Sequence, residues 1–175
     1  MSYLEYIKEM KKSSKTLSKY QRPSWDEYFI GMANYVGTRA TCDRGRAGCV
    51  IARSKRVIST GYVGSPPGLQ HCDDIGHEMH KIINETGADS MHCVRTAHAE
   101  QNAIAQAARF GVALQGATLY CKMVPCYTCA KLSITAGIER VVAEYDYQLS
   151  KRSKDIFKKA GIKLEIINKG VLQYK

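Results

Sequence analysis

His98, Glu100, Cys126 and Cys129 are the residues of this chain whose types and spacing could do chemistry. The imidazole and the carboxylate stand two apart in Thr96-Ala97-His98-Ala99-Glu100, and the thiols three apart in Pro125-Cys126-Tyr127-Thr128-Cys129. One His and two Cys suit a zinc that keeps its fourth position open. A water at that position becomes acidic, and Glu100 beside it could carry the proton. A purely structural zinc would want a fourth protein ligand and would have no use for Glu100. Metal-assisted hydrolysis is the reaction class these four residues suggest.

Such a constellation needs elements that aim it. Cys126 and Cys129 fall on one side of the first turn of a helix, whose N-terminus favours the thiolates that metal binding requires. Periodicity predicts one helix from His98 through Ile104 and Ala108 to Gly111, and another over 129–136. Both would begin beyond strand ends on one edge of the sheet, where open α/β sheets bind ligands. Upstream, Ser24 and Glu27 form a capping box for a helix over 25–39. Its Trp25, Tyr28, Phe29, Met32, Tyr35 and Val36 are expected in the core. Strands are expected at 47–52, 57–62, 117–122, 141–143 and 162–167, with a turn at 53–56 and a helix over 150–160. Residues 69–95 form an insertion, where Ile75, Met79, Ile82 and Ile83 are spaced for a short helix stopped at Gly87. The alternation predicts an α/β fold, a three-layer α/β/α domain on a mixed five-stranded sheet.

At 175 residues the chain fits one domain, taken as 23–175, behind a basic extension over 1–22 with six basic residues against Glu5 and Glu9. No apolar run nears the roughly 18 residues of a membrane helix, and no signal-peptide core opens the chain, so a cytoplasmic protein is expected. In a reducing compartment clustered Cys and His read as metal ligands before disulfides. The net charge of +10 favours anionic partners, nucleotides or nucleic acid alike.

The H-x-E…P-C-x-x-C pattern is that of zinc-dependent nucleobase deaminases. With Trp25-Asp26-Glu27-Tyr28-Phe29, Arg39-Ala40-Thr41-Cys42, Ile58-Ser59-Thr60-Gly61-Tyr62, His98-Ala99-Glu100-Gln101-Asn102-Ala103-Ile104 and Gly116-Ala117-Thr118-Leu119-Tyr120, the chain resembles the deoxycytidylate deaminase family of the cytidine deaminase superfamily. The resemblance implies a cytidine-deaminase-like fold and conversion of dCMP to dUMP for thymidylate synthesis. It implies a homohexamer, dCTP and dTTP as effectors, and Mg2+ accompanying a nucleotide effector. It gives His98, Cys126 and Cys129 to zinc and proton transfer to Glu100. The Ala99 amide would meet the base carbonyl. Tyr62, Val63, Ser65 and Tyr147 (or Tyr145) would line the nucleotide pocket, with Arg39, Arg44 and Arg46 as phosphate candidates. Ala107, Ala108 and Arg109 could cover a subunit contact or the domain itself. Where the family reads Gly-Tyr-Asn-Gly, this chain has Gly61-Tyr62-Val63-Gly64, and Val63 offers no donor or acceptor. A modified cytidylate as substrate, or a lost effector response, follows as a competing expectation.

Cys42, His71-Cys72 and His92-Cys93 bracket the insertion, and similar bacterial and viral members carry this pattern with a second, structural zinc. A long irregular insertion gains much from a metal clip. The expected ligands are Cys42, Cys72 and Cys93 with one imidazole, His71 in preference to His92; buried free thiols are the alternative. Two other functions remain open on sequence: a tRNA-type polynucleotide deaminase, and a zinc-stabilised nucleic-acid-binding module.

Overall fold

Ser24 and Glu27 set the first element. The Glu27 amide donates to Ser24 Oγ at 3.2 Å and the Ser24 amide to Glu27 Oε2 at 2.7 Å, opening helix α1 (Trp25–Gly37). The computed structural model describes residues 21–83, 87 and 89–172; the extension expected over 1–22 lies almost wholly outside them. After α1 come strands β1 (Gly48–Arg53) and β2 (Arg56–Tyr62), the short helix α2 (Cys72–Ile75), and strands β3 (Met79–Ile83) and β4 (Asp89–Cys93). Helix α3 (Ala99–Arg109), β5 (Ala117–Met123), α4 (Tyr127–Thr135), β6 (Ile138–Tyr147), α5 (Lys151–Lys159), β7 (Lys163–Ile166) and β8 (Val171–Leu172) complete the order.

The main sheet runs β2-β1-β5-β6-β7, and the two-residue β8 adds to β6 as a sixth strand. β1 pairs antiparallel with β2 and β5, whereas β5, β6 and β7 are parallel, so the sheet is mixed. Alternation along the strands divides the core in two. Val50, Ala52, Tyr120 and Val142 pack under α1 with Phe29, Ile30 and Ala33. Cys49, Ile51, Leu119, Cys121, Val141 and Ala143 belong to the other cluster, with Ala99 and Ala103 of α3, Ala130 of α4 and Phe157 of α5. Helices on both faces make the three layers. Among the described residues no helix is long and apolar enough to cross a membrane.

Two local expectations fail. Trp25, Tyr28 and Tyr35 are exposed, Tyr35 at 80%, because α1 meets the sheet along the stripe of Phe29, Ile30 and Ala33 and the other aromatics fall outside it. Residues 79–83 form a strand instead of a helix, paired antiparallel with β4 from Met79↔Cys93 to Ile83↔Asp89. Four apolar residues at helical spacing cannot outweigh a partner strand that supplies every second backbone hydrogen bond. Gly87, with φ of 82°, lies between the two strands and not at a helix end.

Candidate active site

Helix α3 is held to the sheet by polar contacts as well as by its alanine face. Ser59 Oγ donates to the Ala103 carbonyl at 2.6 Å, and Asn102 Nδ2 donates to the Tyr62 carbonyl at 2.7 Å. A two-residue bridge fastens the loop ahead of the helix: the Gly64 amide donates to the Ala97 carbonyl at 3.2 Å and the Ala97 amide returns to Gly64 at 3.0 Å. His98 is thereby fixed as the N-cap of α3, its amide donating to Gln101 Oε1 at 2.8 Å. Cys126 is the N-cap of α4, entered from β5 through Val124, whose amide donates to the Tyr145 carbonyl at 3.0 Å.

The two helix starts meet. His98 Nδ1 lies 3.5 Å from Cys126 Sγ and 3.5 Å from Cys129 Sγ. Tetrahedral zinc with ordinary zinc–sulfur and zinc–nitrogen bonds separates such ligand atoms by about 3.6 Å, so the three residues fit that metal as they stand. Without metal, His98 and Cys126 favour a charge pair, while the hydrogen bond to Cys126 and burial push the Cys129 thiol up. Hydrogen bonding from Cys129, opposed by burial and helped by His98, lowers the Cys126 thiol to about 4. Burial works against charge on His98, yet the Cys126 thiolate raises the imidazole to about 9. Glu100, one residue into α3 from Ala99, is only 8% exposed. Burial pushes its carboxyl up, with His98 opposing and Cys126 adding to the shift. A buried carboxyl raised in this way can both accept and return a proton.

The second thiol group assembles with a different imidazole from the expected one. Cys42, Cys72, Cys93 and His77 bring their ligand atoms within 4.8 Å of one another. Cys42 Sγ is 3.7 Å from His77 Nδ1 and Cys72 Sγ is 3.6 Å from Cys93 Sγ, near the roughly 3.8 Å between two sulfurs on one zinc. Neither His71 nor His92 belongs to the group. His71 precedes the buried Cys72 as the exposed N-cap of α2. His92 adjoins Cys93 in a strand, where neighbouring side chains point apart. His77 gets there because Gly76, with φ of 81°, ends α2 and turns the chain back toward Cys42. The other ring nitrogen, Nε2, lies 3.0 Å from Asp43 Oδ1, the carboxylate support that metal-ligating histidines commonly have. Burial, with hydrogen bonds from Cys93 and Cys42, pushes Cys72 up to about 12; for Cys93, burial is outweighed by the Arg95 and Glu78 backbone and the thiol is lowered.

Two cavities open over His98. One, of about 80 Å³, is lined by Cys42, Arg44, Val63, Met91, His92, Thr96, His98 and Tyr147. The other, of about 380 Å³, is lined by Ile82, His92, His98, Gln101, Cys126, Tyr127, Tyr147 and Arg152. Val63 and Tyr147 thus stand at the site, whereas Tyr62, Ser65 and Arg39 do not line either cavity. Tyr62 contributes its carbonyl to Asn102, and the Ser65 amide reaches Thr41 Oγ1 at 3.4 Å. Arg46 is committed elsewhere: its guanidinium makes a paired contact to Asp73, both bonds 3.0 Å, and donates to the Ala40 carbonyl. His92, Gln101, Tyr127 and Arg152 were not foreseen at the cavities. Tyr127 was readable from its place between two ligand cysteines; Arg152 needed the fold.

Comparison with known proteins agrees with this geometry. Residues 23–145 match the family model described as the cytidine and deoxycytidylate deaminase zinc-binding region. The chain is 38% identical over 156 residues to the deoxycytidylate deaminase of Saccharomyces cerevisiae, covering 89% of this chain and 49% of the yeast protein. It is 40% identical over 145 residues to ComE operon protein 2 of Bacillus subtilis, covering 83% of this chain and 72% of that protein. The deoxycytidylate deaminase of Mycobacterium phage D29 is 39% identical over 124 residues, 69% of this chain and 94% of the phage protein. The chain thus spans about half the yeast relative and most of the phage one. Among solved structures, the dCMP deaminase of cyanophage S-TIM5 with dCMP and dUMP superposes with a TM-score of 0.66 at 22% identity, over 84% of this chain and 99% of that one, a likeness of fold.

Proposed function

The chain belongs to the cytidine and deoxycytidylate deaminase family, and on that premise we propose that it hydrolyses dCMP to dUMP and ammonia, supplying dUMP for thymidylate synthesis. The observation that carries this reading is the convergence of His98, Cys126 and Cys129 at zinc-ligand spacing beside the buried Glu100. Zinc held there supplies Lewis acidity that lowers the pKa of water toward about 7. Glu100 takes a proton from the attacking water and delivers it to ring N3, while the water oxygen bonds to C4. Glu100 then carries the second proton to the amino nitrogen as the C4–N bond breaks. The Ala99 amide, at the first position of α3, donates to the base carbonyl. Water in and ammonia out balance the reaction.

Val63 favours a second reading of the substrate. Its buried side chain makes an apolar wall in the smaller cavity beside His98, where an added group at C5 of the base could pack. Steady-state rates with dCMP, CMP, 5-substituted dCMP and a cytosine-containing oligonucleotide, with and without dCTP, test both. dCMP turned over fastest supports the first reading; a 5-substituted dCMP preferred at least tenfold supports the second; deamination of an oligonucleotide but no free nucleotide overturns both. Full activation by dCTP would refute a lost effector response. The reading includes a homohexamer, dTTP as the opposing effector and Mg2+ accompanying the triphosphate, checked by sedimentation with and without each. It also includes a structural zinc on Cys42, Cys72, His77 and Cys93, clipping β3 and β4 to the loop before β1.

A further inference from the structure

The phosphate of a nucleotide needs a cation at the mouth of this site, and most nearby arginines are spent. Arg46 is paired with Asp73, Arg44 donates to the Met91 carbonyl at 3.3 Å, and Arg95 approaches Glu78 at 3.6 Å. Arg152 differs. It lines the larger cavity beside Gln101 and Tyr127, and among the described residues no carboxylate pairs with it. Its guanidinium carbon sits 3.9 Å from the centre of the Tyr127 ring, and Lys131 Nζ lies 5.1 Å from the same ring. Such a seat holds the guanidinium through its face and leaves the N–H groups around its edge able to donate. Arg152 is also in the first turn of α5, where no side chain caps the helix. A guanidinium held at a cavity wall with its donors open is matched to the two oxygens of a phosphate monoester.

We infer that Arg152, seated on Tyr127, binds the nucleotide phosphate: the planar base occupies the smaller cavity and the 5′-phosphate lies in the larger one. This rests on the nucleotide reading above. Tyr127 is a positioning residue, acting through the arginine it carries. The contact that seats the guanidinium is with the face of the Tyr127 ring, so the aromatic face is required and the hydroxyl is not.

Equilibrium titration of the zinc-loaded protein with dUMP and with deoxyuridine tests the assignment without depending on turnover. Wild type should bind dUMP at least tenfold more tightly than deoxyuridine. R152A should weaken dUMP binding at least tenfold and deoxyuridine binding less than twofold, and R152K should recover part of the loss. Y127F should behave as wild type, whereas Y127L with full zinc content should lose dUMP selectively. The inference is overturned if R152A binds dUMP like wild type, if it loses both ligands equally, or if R44A removes the preference and R152A does not. Wild-type protein that favours deoxyuridine over dUMP would sink the nucleotide reading and the inference together; a preference for dUMP that survives R152A sinks the inference alone.

Discussion

Replacing Gly61 by alanine probes the close approach of β2 to the helix that carries His98 and Glu100. A methyl group at 61 would overlap the Ala99 carbonyl oxygen and the Ala103 amide nitrogen, and would meet Ala103 Cα at 3.0 Å. All three obstacles are backbone, so no side chain can rotate away, and ordinary contact begins only at 3.4 Å. α3 must rise from the strand by roughly 1 Å, an overpacking that costs about 1–3 kcal/mol. Ser59 and Asn102, which tie the helix to β2, would be stretched by the same shift. His98 moves with α3 while Cys126 and Cys129 stay on α4, so the 3.5 Å spacings open. Misplacement on this scale can cost about 100-fold in rate. Urea unfolding of the metal-free protein and zinc competition against a chelator report the two consequences separately. Gly31→Ala is the control: nothing lies within 4 Å of its added methyl, and alanine in a helix interior should gain about 0.5–1 kcal/mol. A Gly61→Ala protein with an unchanged urea midpoint and unchanged zinc affinity would refute the argument.

Glu100→Gln should keep its zinc, read by atomic emission, and lose at least about 100-fold in ammonia release, the scale of general acid–base catalysis. Metal analysis should give two zinc ions per chain, falling to one in His77→Ala and staying at two in His71→Ala. The Arg140 hydrogen bonds, 2.8 and 2.7 Å, hold the Asp26 carboxyl below the usual carboxylate range, so its stabilising effect is present above the unfolded pKa of about 3.9 and is lost as pH falls through the lower folded value. Asp26→Asn should therefore cost about 1 kcal/mol at pH 7, allowing for solvent screening, and the difference from wild type in urea midpoint should shrink to nothing in strong acid. Ser54 and Lys55 both have positive φ, 51° and 62°, in the β1–β2 turn. The double substitution Ser54→Asn with Lys55→Gly should raise the thermal midpoint, since an asparagine–glycine pair suits the mirror-image hairpin turn.

The order of strands and helices was legible because each depends on its own run of residues: the Ser24–Glu27 box, the alternating strands and the helical alanines of 99–109 all act within a few positions. The pairing of His98 with Cys126-x-x-Cys129 was legible for a related reason, since helix starts fix where ligands at those spacings point. The insertion was not legible. Whether 79–83 coils or extends depends on β4, several residues further on, and no local pattern declares that partner. The same holds for the imidazole in the second thiol group: His71 and His92 adjoin cysteines in sequence, but His77 is the one that the turn at Gly76 carries back to Cys42. Arg46 is a phosphate candidate by sequence but is paired with Asp73, and Arg152, which no sequence motif singles out, is set on Tyr127 by the fold. Sequence alone thus singled out His98, Cys126, Cys129 and Glu100 as the group that could hold one metal and move a proton, because that is a matter of side-chain chemistry and short spacing. Only the tertiary structure decided which charged and aromatic groups face the cavity, because burial and partner choice are set by segments distant along the chain.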